Sequence, residues 1–93
     1  MNEKASLRRT ILIANRLGLH ARAAAKFVQM AGGFDADITV RKDGYEVSGL
    51  SIMGLMMLAA SLGSEIEISA SGAQATEALD AIEELVKGKF DEE

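Results

Sequence analysis

Gly18-Leu19-His20-Ala21-Arg22 contains the only histidine of this 93-residue chain, at the mouth of an alanine-rich segment with helical spacing. An imidazole in that position is well placed to hold or pass on an anion. The first turn of a helix leaves several backbone N–H groups without partners, and that end of the helix dipole is positive. Phosphate binds readily there. His20 adds a nitrogen nucleophile, and Arg22 adds a planar donor fork suited to phosphate oxygens. Lys26, one turn further on, contributes general positive charge and is a candidate partner-binding residue. On the residues alone a plainer reading stays open, in which His20 is a loop or cap residue that bonds only locally. A metal site on His20 is not expected, because the chain has no second histidine and no cysteine.

The elements that must position these residues can be read from the spacing of apolar side chains. Ile11-Leu12-Ile13-Ala14 reads as a short buried strand, and Asn15 to Leu19 as a loop broken by Gly18. Ala23, Ala24, Phe27, Val28 and Ala31 recur at helical spacing, and Gly32-Gly33 supplies the stop. Ile38 and Val40 alternate with polar neighbours, as do Tyr45 and Val47, with Asp43-Gly44 as a hairpin signal between them. Ser51 is a good N-cap for a helix over Ile52 to Leu62, ended by Gly63. Ile66 and Ile68 mark a fourth strand. Ala75, Ala78, Leu79, Ile82, Leu85 and Val86 form the apolar stripe of a last helix. The predicted order is β-α-β-β-α-β-α, an α+β fold with an antiparallel sheet covered by helices on one side.

The second helix departs from a simple amphipathic pattern. No charged residue occurs from Val47 through Ser64. Ile52, Met53, Leu55, Met56, Met57 and Leu58 cover nearly the whole circumference. A two-layer domain cannot bury every side of such a helix, so an exposed apolar patch is expected, with Ile52, Met53 and Met56 as its candidate docking face. The flanking Ser and Gly residues argue for a short soluble helix rather than a membrane span.

Composition sets the remaining bounds. One domain over residues 1–93 is expected, with 1–6 and 89–93 as flexible ends. A chain of this size buries roughly 60–65% of its unfolded surface, enough for one thin core. Residues 1–45 carry eight Lys/Arg against four Asp/Glu, whereas residues 46–93 carry two against ten. A basic face around His20 thus favours an acidic partner or a phosphate. A net charge of −4, with three Phe and one Tyr for stacking, argues against nucleic acid. Met1 to Thr10 is polar and charged, so no signal peptide is read there and a cytoplasmic location is the expectation.

The Gly18-to-Arg22 motif, the element order and Ser51-Ile52-Met53-Gly54 together resemble HPr, the histidine phosphocarrier family of the phosphoenolpyruvate-dependent phosphotransferase system. The resemblance runs from about Leu7 to Lys87. Asn15-Arg16-Leu17-Gly18, Gly33-Phe34-Asp35-Ala36-Asp37 and Phe90-Asp91-Glu92 look more like NPr, the carrier type of the nitrogen-related branch. The resemblance implies an open-faced sandwich with sheet order 1-4-2-3 and three helices on one face. It implies that His20 takes a phosphoryl group from enzyme I, itself charged by phosphoenolpyruvate, and passes it to a histidine of an EIIA-type protein. It implies Nδ1 as the reacting nitrogen and Arg22 as a stabiliser of the phosphoryl group. Ser51 matches the serine that HPr kinase phosphorylates in many relatives, which adds that kinase as a partner. The chain is then a carrier component and not an enzyme on its own. No cofactor is implied, and a monomer without membrane association is expected. Two departures bear on this. Ala23 stands where the family usually has proline, which would preset the first helical turn. Leu17 replaces the asparagine common in sugar-branch HPr proteins. The alternatives are a sugar-transport HPr, or a non-catalytic interaction domain that docks through the Met-rich helix.

Overall fold

The computed structural model describes residues 6–92. Strand β1 (Leu7–Leu12) leads into helix α1 (Ala21–Ala31), then β2 (Asp37–Lys42) and β3 (Tyr45–Ser48). Helix α2 (Ile52–Met57), β4 (Glu65–Ser71) and helix α3 (Ala75–Lys87) follow, and a single tight turn over Lys89–Asp91 closes the order. The strands form one antiparallel sheet in the order β1-β4-β2-β3. Among the described residues no helix is long and apolar enough to cross a membrane.

Period-two alternation determines which face of the sheet is covered. Ile11 pairs with Ile66, Val40 with Ile68 and Ile38 with Ala70, and all six side chains are buried. Their neighbours Thr10, Glu67 and Arg41 lie in register on the other face, where Arg41 pairs with Glu46 of β3 at 3.0 Å. On the covered face α1 contributes Ala23, Ala24, Phe27 and Ala31, and α3 contributes Ala75, Ala78, Leu79, Ile82 and Val86. The alanines let both helices approach closely. This is the expected α+β sandwich with three helices on one face.

Three boundaries differ from the sequence reading. β1 starts at Leu7 and ends at Leu12, instead of spanning residues 11–14. β4 is long enough to pair Leu7 with Ala70 through Leu12 with Glu65, so the polar start of β1 is drawn into the sheet. There Arg9 meets Asp80 and Glu83 of α3 at 2.7 and 2.8 Å. α2 ends at Met57 instead of Leu62, because the chain turns at Ala59 (φ 53°) and its next residues bond to the loop after β1.

The third correction concerns residues 89–93, expected as a flexible end. Lys89, Phe90 and Asp91 all have positive φ, and the turn they make delivers the Phe90 ring fully into the core. Residues 1–5 of the other expected flexible end, and Glu93, lie outside the described residues.

Candidate functional site

His20 is the N-cap of α1. Its backbone is extended (φ −78°, ψ −179°) and its carbonyl accepts the first helical bond, from Ala24 N–H at 2.8 Å. The amides before Ala24 therefore have no helix carbonyl to donate to. His20 makes no side-chain cap, and α1 carries no acidic residue in its first turn. The positive end of the helix is thus not neutralised from within.

Loop-to-loop bonding fixes the approach to that end. Leu19 N–H donates to Ala60 O at 2.9 Å, Ile13 N–H to Ser64 O at 2.9 Å and Gly63 N–H to Ile13 O at 2.8 Å. Gly18 (φ +67°) lies where the two loops touch. A Cβ there would fall 2.2 Å from Ala60 O, so only glycine fits. Leu19 is buried beside it and anchors the backbone just before the histidine.

The imidazole opens onto a cleft of about 840 Å³ lined by Arg16, Leu17, His20, Arg22, Lys26 and the 91–92 segment. The fold therefore brings together three of the residues singled out in the sequence: His20, Arg22 and Lys26. Arg22 is exposed and, among the described residues, forms no ion pair. The Lys26 ammonium also donates to the Phe90 carbonyl at 2.7 Å and so pins the C-terminal turn.

Two residues that sequence reasoning passed over complete the site. Glu92 Oε2 lies 2.5 Å from His20 Nε2, and Glu92 Oε1 accepts from Asn15 Nδ2 at 3.0 Å. Asn15 is buried, and the same Nδ2 donates to Gly18 O at 2.8 Å. The Glu92 carboxyl is held below the usual carboxylate range, chiefly by the Asn15 hydrogen bond and further by His20 and the nearby Arg22 charge, against the opposing effect of burial. Both residues left a trace in the sequence. Asn15 precedes Gly18 by three positions, a common turn pattern. Phe90 is a large apolar residue in an otherwise charged tail, which marks an anchored end.

The remaining candidates sit on α2, which packs beside α1 but does not line the cleft. Ser51 caps α2 as expected, its Oγ accepting from Gly54 N–H at 2.9 Å. Ser51→Ala should cost about 1 kcal/mol, read as a fall of roughly 4–8 °C in Tm by calorimetry. Met53 is 69% exposed, with Ile52 and Met56 at 40% and 38%, while Leu55 is fully buried. The helix thus divides into a core side and an apolar outer side. Leu17, which lines the cleft beside His20, is 70% exposed.

Comparison with known proteins agrees with this arrangement. Residues 7–88 match the family model described as the PTS HPr component phosphorylation site. The phosphocarrier protein HPr of Neisseria meningitidis is 49% identical over 86 residues, covering 92% of this chain and 97% of that protein. The phosphocarrier protein NPr of Shewanella violacea is 46% identical over 86 residues, covering 92% and 94%. The crystal structure of HPr from Thermoanaerobacter tengcongensis superposes with a TM-score of 0.89 at 46% identity, covering 94% of this chain and 98% of that one. A lone histidine capping a basic, open helix end, on a sheet of this order and at this level of identity, leads to one conclusion: the chain belongs to the HPr family of phosphocarrier proteins of the phosphotransferase system.

Proposed function

We propose that His20 is the phosphoryl acceptor and donor of this carrier, which acts as a cytoplasmic monomer. The group comes from enzyme I, charged by phosphoenolpyruvate, and goes to an EIIA-type protein in the nitrogen-related branch. The observation that carries this reading is the placement of His20 at the open N-terminus of α1, with Arg22 in the same cleft. A ring nitrogen of His20 attacks phosphorus in line. A new N–P bond forms while the donor's bond to phosphorus breaks and its electron pair stays with the donor. The free amides of α1 and the Arg22 guanidinium stabilise the negative charge of the group received.

The nitrogen-related assignment is supported by Leu17, an apolar side chain at the cleft rim, and by the Phe90-Asp91-Glu92 ending that packs against the site. The test is incubation with labelled phosphoenolpyruvate and enzyme I of each branch. Acid-labile, base-stable label acquired faster from the nitrogen-branch enzyme is the expected result. Faster labelling by the sugar-branch enzyme would make this a sugar-transport HPr, and no label from either would leave an interaction domain.

Ser51 is the proposed regulatory phosphorylation site for HPr kinase. Its hydroxyl sits at the start of α2, so a phosphate there would place strong negative charge beside the apolar outer side of that helix. That outer side is the proposed docking face. Both partners must reach the same histidine, so their footprints overlap, and methionine side chains repack against different surfaces. Met53→Glu should raise Kd for enzyme I and for the EIIA-type acceptor together, by about tenfold or more. With Met53 mostly exposed, Tm should stay within about 4 °C. Titration calorimetry against each partner checks it, and unchanged affinity for both would remove Met53 from the interface.

A further inference from the structure

Among the described residues, the exposed methionines all lie on α2. Met53 and Met57 are four positions apart and so share one face of the helix, where they are 69% and 79% exposed. Met56 beside them is less exposed, at 38%. Met30 on α1 is half-buried and packs against the core. The chain has no cysteine, so no thiol of its own competes for an oxidant. No charged residue occurs from Val47 through Ser64. The outer side of α2 therefore contributes apolar contact to binding, and a gain of polarity at sulfur acts on that contact directly.

We propose that this surface is a site of reversible oxidation: hydrogen peroxide converts Met53 and Met57 to methionine sulfoxide, and the carrier then loses affinity for both partners until the sulfoxides are reduced. The proposal rests on the reading of the outer side of α2 as the docking face. In the step, a sulfur lone pair attacks one oxygen of the peroxide. An S–O bond forms as the O–O bond breaks, and the second oxygen leaves as water with both protons. Sulfur loses two electrons and the peroxide gains them. A dithiol-dependent sulfoxide reductase reverses the change, releasing the oxygen as water while the dithiol becomes a disulfide. The sulfoxide oxygen is a hydrogen-bond acceptor. On the free carrier it is hydrated and costs the fold little, because both side chains face solvent. In a docked complex it is stripped of water among apolar neighbours that offer it no donor.

The experiment uses the full chain, treated with hydrogen peroxide and then freed of it. Peptide mass spectrometry follows each methionine, and Met53 and Met57 should gain oxygen several times faster than Met30. Titration calorimetry should then show Kd for enzyme I and for the EIIA-type acceptor raised about tenfold. Tm should stay within about 4 °C of the untreated chain. Methionine sulfoxide reductases A and B with dithiothreitol should restore both affinities. The deciding control is the double variant Met53→Leu/Met57→Leu, which cannot be oxidised at either position. Whatever its starting affinity, the ratio of Kd after peroxide to Kd before should fall to near one. The variant keeps Met1, Met30 and Met56, so a ratio as high as in the wild type would place the effect on them and overturn the proposal. Complete oxidation of Met53 and Met57 with unchanged Kd for both partners would overturn it too, as would oxidation of Met30 at the same rate. Failure of the docking reading shows separately, as unchanged affinity in Met53→Glu.

Discussion

His20→Ala should take no label at all from phosphoenolpyruvate and enzyme I, whereas the wild type is labelled to completion. The loss is total because the chain has no second histidine and no cysteine to receive the group. The fold should survive. His20 caps α1 through its backbone and makes no side-chain cap bond. Its one side-chain partner among the described residues is Glu92, in the C-terminal turn. Loss of that contact should change stability by no more than about 1 kcal/mol. Labelling and calorimetry on the same preparation check both expectations. Label on the variant at the wild-type level would place the acceptor elsewhere, and an unfolded variant would make His20 a structural residue.

Phe90→Ala should have a large effect on stability, although the residue lies close to the C-terminus. Its ring is fully buried, and truncation of a buried phenylalanine costs about 3–5 kcal/mol. The lower end applies here. Lys89, Phe90 and Asp91 all sit in the left-handed region, which is unfavourable for residues with a Cβ. The turn has no local preference of its own and is held by the docking of the ring. Without the ring it should detach and shed that strain instead of leaving a cavity. A fall in Tm of roughly 12 °C or more is expected, together with loss of hydrogen-exchange protection over residues 89–92. A Tm within a few degrees of wild type, with that protection intact, would show that the turn is held by other contacts.

These two variants separate what could be read in the sequence from what could not. The strands and helices of the sandwich followed from alternation and from helical spacing, because each element buries one face and its side chains record it. His20, Arg22 and the Ser51 cap were legible for the same reason, since a helix start has local signals. Asn15 and Glu92 were not. Their pairing joins a loop at one end of the chain to a turn at the other, and no local pattern registers a contact across that separation. Ala59 shows the same limit on a smaller scale. The apolar run past Met57 has helical composition, but the fold needs residues 58–64 as the loop that meets Gly18 and Leu19. That tertiary demand overrides propensity. The bond from the Lys26 ammonium to the Phe90 carbonyl was not legible either, because only the packed turn shows which oxygen that ammonium meets.

The separation of His20 and Glu92, 72 positions along the chain, has a consequence for competition. Glu92 acts as a tethered ligand of the imidazole. Its tether is short, because Phe90 is anchored two residues before it. A short tether sets an effective concentration in the millimolar range or above. Free carboxylates such as acetate, or soluble acidic peptides, should therefore fail to displace it at micromolar concentration. On the proposed docking through the outer side of α2, a partner would bring its own reacting group to the same ring with a comparable advantage. The site would then discriminate by valency: ligands that offer a single charge would be excluded, and surfaces that offer several contacts at once admitted.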